Sequence, residues 1–312
     1  MLEAYFRYVY DESDGLGFLN TNTRWQQRHV VTNNYFYRDR NFNTEKETGV
    51  IRIGVLGDSI TFGGGIEKPE DRFSNLLESK LKGTSYKVEV YNLGKSGTDT
   101  ETQIKDFEKV KHLNFDIIVW QYFLNDIQPE EKSTGTPIID KNSQQAKVVK
   151  FMSDRSFLFD FLYWRYSSRY KQTFEELKNA DLNQYQKVEV FENHKKEMKS
   201  FLDEFKKEKK EVVVIIFPFT HLLGPNYPAQ NVHDELKSFF AQNKITTIDL
   251  REDLEGQNPQ TLVASKFDSH PNEAVHAIAA QKLFEAVEAI LNAKTTSFQL
   301  DQGTSKQPRL PK

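Results

Sequence analysis

Gly57, Asp58 and Ser59 stand together, directly after the apolar run Ile51 to Leu56. Branched residues in an unbroken apolar run read as a buried strand, and the turn at its end delivers the Ser59 hydroxyl. A serine hydroxyl is a weak nucleophile until a base within hydrogen-bond reach takes its proton. His270, in Asp268-Ser-His-Pro271, is the candidate base. Asp268 is the candidate group that orients His270 and stabilises its imidazolium. An attacked carbonyl also needs donors aimed at its developing oxyanion. The backbone N–H groups of Ser59 and Gly97 and the side-chain amide of Asn125 are candidates for that hole. Glycine suits position 97 because the backbone must come close to a substrate oxygen. Asparagine suits position 125 because a neutral amide donates without competing for the serine proton.

Other polar groups have weaker claims. Asp58 is either a second acid or the cap of its own turn. Phe123 and His221 lie at or near the ends of two apolar runs and, with Asp58, are candidate substrate contacts. Asp249 and Asp253 are alternative partners for His270, and Asp126 is expected to brace its loop. His276 falls on the last helix, at the surface or packed. Gly63-Gly-Gly65 lacks the Lys-Ser/Thr ending of a phosphate-binding loop, so tight packing or flexibility is the better account. No His/Asp/Glu spacing points to a metal. Chemistry of this kind needs no cofactor.

The elements that must position these groups alternate in type. Strands are expected at 51–56, 88–91, 116–120, 212–217 and 245–249. Helices with three- and four-residue apolar spacing are expected at 73–81 and 101–111, and the last at about 273–293. Strands separated by helices imply a parallel sheet covered on both faces, and unbroken apolar strands agree. The expected fold class is α/β, a three-layer α/β/α sandwich with a five-stranded, flavodoxin-like parallel sheet. Ligands in such sheets bind beyond the carboxyl ends of the strands. Those ends carry Ser59, the 92–99 turn, Asn125 and His221, and the loop after the last strand carries His270.

Around this domain, 51–295, lie three less regular parts. Residues 1–50 interleave aromatic and polar residues without a period, and an extended arm or small strands packed on the main domain is expected. Arg24, Arg38 and Arg40 there are packing residues before they are ligands for an anion or a sugar. Residues 126–211 form an insertion. It starts polar and turn-rich at 128–137, passes through the aromatic run Phe157 to Tyr166, and ends in a helix with Met198, Phe201, Leu202 and Phe205 on one face. The aromatic run is expected to be insertion core rather than a lid. Residues 296–312 are expected to be a disordered tail.

Composition removes whole classes of function. The absence of cysteine excludes disulfides, thiolate metal sites and cysteine nucleophiles. A net charge of −3 with no basic stripe gives no electrostatic case for nucleic acid. No apolar run approaches the roughly 20 residues of a membrane span, and the first residues lack the basic-then-apolar order of a secretory leader. The expectation is a soluble chain, either cytoplasmic or the extracytoplasmic part of an anchored protein.

Four stretches carry a resemblance. Gly57-Asp58-Ser59-Ile60-Thr61, Asn92-Leu-Gly-Lys-Ser-Gly97, Leu124-Asn125-Asp126 and Asp268-Ser-His270-Pro-Asn272 resemble, in order, the blocks of the SGNH (GDSL-like) hydrolases. The resemblance covers roughly 50–293 apart from the insertion. It implies a serine esterase or acyl hydrolase with Ser59, His270 and Asp268 as its triad. It also implies a small O-acyl group, acetyl among them, carried by a carbohydrate or another small ester. There are two departures. Phe123 stands where the third block has glycine. One residue separates Asp268 from His270 where the family has two, so a Ser59–His270 dyad is the alternative to a triad. An O-acyltransferase on a cell-surface glycan and a non-catalytic carbohydrate-binding protein are the competing functions.

Overall fold

Almost every residue of the apolar runs is buried, which requires cover on both faces of the sheet. The computed structural model describes residues 1–127 and 144–304. The strands are β1 (Ile51–Gly57), β2 (Val88–Gly94), β3 (Ile117–Phe123), β4 (Glu211–Phe217) and β5 (Thr246–Asp249). All pairings are parallel and the order is β2-β1-β3-β4-β5. Gly57 pairs with Gly94, Leu56 with Trp120 and Phe123 with Phe217. β1 and β2 therefore end level with each other, as do β3 and β4, which run on past Trp120 to Phe123 and Phe217. Chain direction across the sheet reverses between β1 and β3, the place where such sheets hold ligands.

The helices are α1 (Leu2–Tyr8), α2 (Asn20–His29), α3 (Ser59–Phe62), α4 (Phe73–Lys82), α5 (Thr100–Val110), α6 (Gln144–Ser153), α7 (Phe157–Tyr166), α8 (Ser168–Gln186), α9 (Val188–Lys207), α10 (Gln230–Gln242), α11 (Leu250–Leu254) and α12 (Glu273–Thr304). α4 and α12 pack together on one face of the sheet, while α5, α9 and α10 cover the other. Right-handed crossovers dictate this split, because the chain moves one way along the sheet from β1 to β2 and the other way thereafter. The stripe Met198, Phe201, Leu202 and Phe205 of α9 is wholly buried against the sheet. Val275, Ala279, Leu283, Val287 and Leu291 of α12 do the same on the opposite face.

Residues 1–50 are not the extended arm or small strands expected of them, for they contain α1 and α2. The apolar period failed because α2 buries only Thr21 and Trp25. Backbone carbonyls and aromatic rings hold this part instead. Arg24 donates to the carbonyls of Phe6 at 3.1 Å and Tyr10 at 2.7 Å. Phe6 stacks on Phe161 of α7 at 4.4 Å, and Phe18 on Trp164 at 4.4 Å. With Leu19 and Phe267, these rings form a second small core beside the main one. The polar stretch 128–137 lies outside the described residues, as does 305–312. α12 runs past Ala293 to Thr304.

Candidate active site

Ser59 is the first residue of α3, and Asp58 is its N-cap. Asp58 Oδ1 accepts the Ile60 N–H at 2.8 Å. Gln121, from β3, accepts the Asp58 N–H at 3.1 Å and the Thr61 hydroxyl at 2.8 Å. The turn that presents Ser59 is thereby fastened to the neighbouring strand. Asp58 itself is buried and faces inward, and its Oδ2 makes no hydrogen bond. Burial pushes its carboxyl up to about 6, against the pull of the Ile60 N–H and of His270.

From Ser59 a chain of contacts leads to the last loop. His270 Nε2 lies 2.9 Å from Ser59 Oγ. On the other side of the ring, Nδ1 lies 2.5 Å from Asp268 Oδ1. The same oxygen accepts the backbone N–H of His270 at 3.0 Å. The single intervening residue is no obstacle, because Asp268 folds back over its own turn in the manner of an Asx turn. Asp268 is buried, while the His270 side chain keeps 21% of its surface exposed. Burial would push the Asp268 carboxyl up, but His270 and the hydrogen bonds from His270 and Ser13 hold it below the usual value. Burial would likewise lower His270. Asp268 outweighs this, with Asp58 and Asp14 adding to it, and raises His270 above 6.5.

Three glycines pack against this chain or beside it. A Cβ at Gly64 would lie 3.0 Å from the His270 ring. Gly65, at φ +80°, would put a Cβ 2.4 Å from that of Ala264. Gly63 sits against Arg72. The 63–65 run is thus a thin wall behind the imidazole. Arg38, wholly buried, ties that wall to the N-terminal arm by donating to the carbonyls of Gly63 at 2.7 Å and Ile66 at 2.8 Å. Arg24, Arg38 and Arg40 are all engaged by protein groups, Arg40 by Glu78 at 2.7 Å.

The remaining candidates fall as follows. Gly97, at φ +74°, lies in the loop after β2, and among the described residues nothing comes within 4 Å of where its Cβ would be. Asn125 follows β3, and its side-chain Oδ1 is buried without a hydrogen bond. Asp126 is buried and braces the same turn, accepting from Gln103 at 2.7 Å and from the Phe123 N–H at 2.8 Å. Burial drives its carboxyl well above the ordinary value. Phe123 is half-buried, edge-on to Phe219 at 5.0 Å, and Phe219 meets His221 at 5.9 Å. Burial lowers His221 to about 4, so it is neutral at neutral pH. Asp249 is held by His233 Nδ1 at 2.8 Å and Asp253 by Lys282 at 2.6 Å. Neither is available to His270. His276 is packed, accepting the Phe73 N–H on Nδ1 at 3.1 Å. Among the described residues no cluster of three or more His, Asp or Glu could hold a metal ion.

A cleft of about 660 Å³ adjoins the acid side of the chain. Its walls include Arg165, His221, Gln260, Lys266, Asp268 and Ser269. Ser13, whose hydroxyl donates to Asp268 Oδ2, has no counterpart among the sequence candidates. Its surroundings, Asp11-Glu-Ser-Asp14-Gly, read as an ordinary polar turn, and nothing in them signals a partner 255 residues away.

A family model described as GDSL-like lipase/acylhydrolase matches residues 55–278. No curated protein matches the chain. Among solved structures, the acetylxylan esterase Axe2 from Geobacillus stearothermophilus is 16% identical, covers 75% of this chain and 93% of its own, and has a TM-score of 0.48. A lipase/acylhydrolase from Enterococcus faecalis is 15% identical, with coverage of 77% and 96% and a TM-score of 0.46. A lipolytic protein of the G-D-S-L family from Veillonella parvula is 16% identical, with coverage of 75% and 97% and a TM-score of 0.40.

Proposed function

The chain belongs to the GDSL-like lipase/acylhydrolase family and is a hydrolase acting on esters, and on that basis we propose that Ser59 is its nucleophile and that it removes a small O-acyl group, such as acetyl, from a carbohydrate or other small ester. The observation that carries this is the unbroken path Ser59 Oγ–His270 Nε2–Nδ1–Asp268 Oδ1, at 2.9 and 2.5 Å. Neutral His270 takes the Ser59 proton as Oγ attacks the carbonyl carbon. The carbonyl oxygen becomes an oxyanion, held by the N–H groups of Ser59 and Gly97 and by the Asn125 amide. Ser59 N–H opens a helix and has no intrahelical acceptor. The Asn125 side chain would serve the oxyanion through its Nδ2–H donor. Imidazolium then protonates the leaving alcohol. Water attacks the acyl-serine, gives its proton to His270, and the acid departs as the Ser59 hydroxyl is restored.

The cleft walled by Arg165, Gln260 and Lys266 is of small-molecule size, within the roughly 300–1,000 Å³ of such sites; it adjoins Asp268, and Ser59 and His270 are not among its walls. A sugar hydroxyl entering in place of water would make the same site a transferase. A protein that only binds carbohydrate has no use for a Ser–His–Asp path at hydrogen-bonding distance.

The test is labelling by a fluorophosphonate together with hydrolysis of p-nitrophenyl acetate, with and without a glycan acceptor. Wild type is expected to react and to release free acetate. Ser59→Ala is expected to lose at least about a thousandfold in kcat. Wild type reacting no better than Ser59→Ala would remove the serine from the mechanism.

A further inference from the structure

We infer that Ser13 is a positioning residue for the catalytic acid, so that the N-terminal arm completes an active site whose other members all lie in 59–270. The inference rests on the triad proposed above. Its starting point is an asymmetry in the Asp268 carboxylate. Oδ1 accepts two hydrogen bonds, both from His270. Oδ2 accepts from the Ser13 hydroxyl, and among the described residues it has no other donor. Asp268 is 2% exposed and Ser13 is 6% exposed, so water does not readily replace that donor. A buried carboxylate oxygen left without a donor carries its full desolvation cost.

The arm is built to hold Ser13 in this place. The Gly15 N–H donates to the carbonyl of Phe267 at 3.1 Å, a backbone bond to the residue just before Asp268. A Cβ at Gly15 would lie 3.0 Å from Asp268 Oδ1, so only glycine lets the arm approach this closely without displacing the acid. Asp14 closes the following turn by accepting the N–H groups of Leu16 at 3.0 Å and Leu19 at 2.7 Å. Phe18 and Leu19 then join the core that includes Phe267. The arm thus grips the acid loop at Phe267 and at Asp268 itself.

Position has an electrostatic consequence. The Ser13 hydroxyl presents its positive end to the carboxylate that stabilises imidazolium. Other charged or titratable groups that face or influence His270 are Asp58 at the turn before α3, Asp14 in the arm, and His276 on α12. None of these is removed with Ser13. Deleting the hydroxyl leaves Asp268 less compensated. His270 then holds its proton to higher pH, and the carboxylate, still tied to the His270 backbone N–H, is less firmly held in the plane that orients the ring. A residue that served packing alone would lower activity equally at every pH. A positioning residue also moves the acid limb of kcat/KM.

The experiment compares wild type with Ser13→Ala, Ser13→Cys and Ser13→Thr. Ser13→Cys keeps the size and loses most of the donor strength, and Ser13→Thr keeps the hydroxyl. The His270 ring is titrated by NMR without substrate, and fluorophosphonate labelling rates are measured from pH 5 to 9. In Ser13→Ala and Ser13→Cys the His270 midpoint is expected to rise by about 0.5. Labelling at neutral pH is expected to fall about tenfold. Ser13→Thr is expected to restore both. A His270 midpoint unchanged in Ser13→Ala and in Ser13→Cys overturns the inference. A wild type that does not label overturns the nucleophile itself, and the NMR titration still decides whether Ser13 acts on the His270–Asp268 pair.

Discussion

The short Asp268-Ser-His270 spacing is the point at which the proposed triad departs most from its family, and the geometry around one oxygen supports the proposal. Asp268 Oδ1 bonds the His270 backbone N–H and ring Nδ1 together, so the acid and the base form one turn. A consequence follows for pH. The charge on Asp268 raises His270 above 6.5, and the base works only when neutral. The acid limb of wild-type kcat/KM is therefore expected to have its midpoint above pH 6.5. In Asp268→Asn the limb moves to lower pH while the plateau falls by roughly 10²–10⁴. A pH–rate profile on an aryl acetate measures both. A plateau within about tenfold of wild type would leave Ser59 and His270 acting as a dyad.

At the scale of elements, legibility in the sequence followed from how burial is achieved. β1, β3 and β4 bury nearly all of their residues, so composition alone marks them, and the observed strands differ from expectation mainly by extending to Gly57, Gly94 and Phe123. α9 and α12 bury one stripe each and were readable from spacing. The arm was not readable, since its helices are held by the half-buried Arg24 and the buried Arg38 on backbone carbonyls and by rings from distant elements. Ser59, Asp268 and His270 could be picked out as residues lying past strand ends. Ser13 could not, because its partner is set by the tertiary path of an aperiodic segment.

Of the rings in the aromatic run of α7, expected to be core, only Trp164 is buried, with Phe161 and Tyr163 partly buried beside it, and this small cluster lies beneath the acid loop. Phe161 touches Phe6, Tyr10 and, at 5.6 Å, Phe267. Phe161→Ala is expected to cost about 1–3 kcal/mol, since the ring is only partly buried. Phe205→Ala, in the fully buried stripe of α9, is expected to cost about 3–5 kcal/mol. Activity should run the other way. Phe161→Ala loosens the support of Asp268 and lowers kcat/KM at 25 °C. Phe205→Ala lies on the far face of the sheet and leaves the folded fraction as active as wild type. Urea melts paired with rates per folded molecule test this, and equal activity losses would detach α7 from the site.

Across the whole molecule, buried ionisable groups set stability and activity against each other. Burial raises Asp58 to about 6, Asp160 to about 6 and Asp181 to about 7, and raises Asp126 well above its ordinary value. Between about pH 4 and 6 the folded chain holds protons on these carboxyls that the unfolded chain has released. Their contribution to stability is complete below the unfolded value of 3.8 and is lost as pH rises through the folded ones. Asp58 alone, shifted from 3.8 to about 6, accounts for about 3 kcal/mol. His221 and His276 oppose this, since burial lowers them to about 4 and about 3, and they weaken the fold as pH falls below 6.5. The four carboxyls outnumber the two imidazoles, so the chain is expected to be more stable at pH 5 than at pH 8. Catalysis needs neutral His270 and is expected to be faster at pH 8 than at pH 5. Asp58→Asn keeps an oxygen for the Ile60 N–H and removes the buried charge, so it should raise the urea midpoint at both pH values, and about twice as much at pH 8 as at pH 5, where only the unfolded chain has released the Asp58 proton. A wild-type midpoint that climbs steadily from pH 5 to pH 8 would mean that the imidazoles, and not the carboxyls, govern the balance.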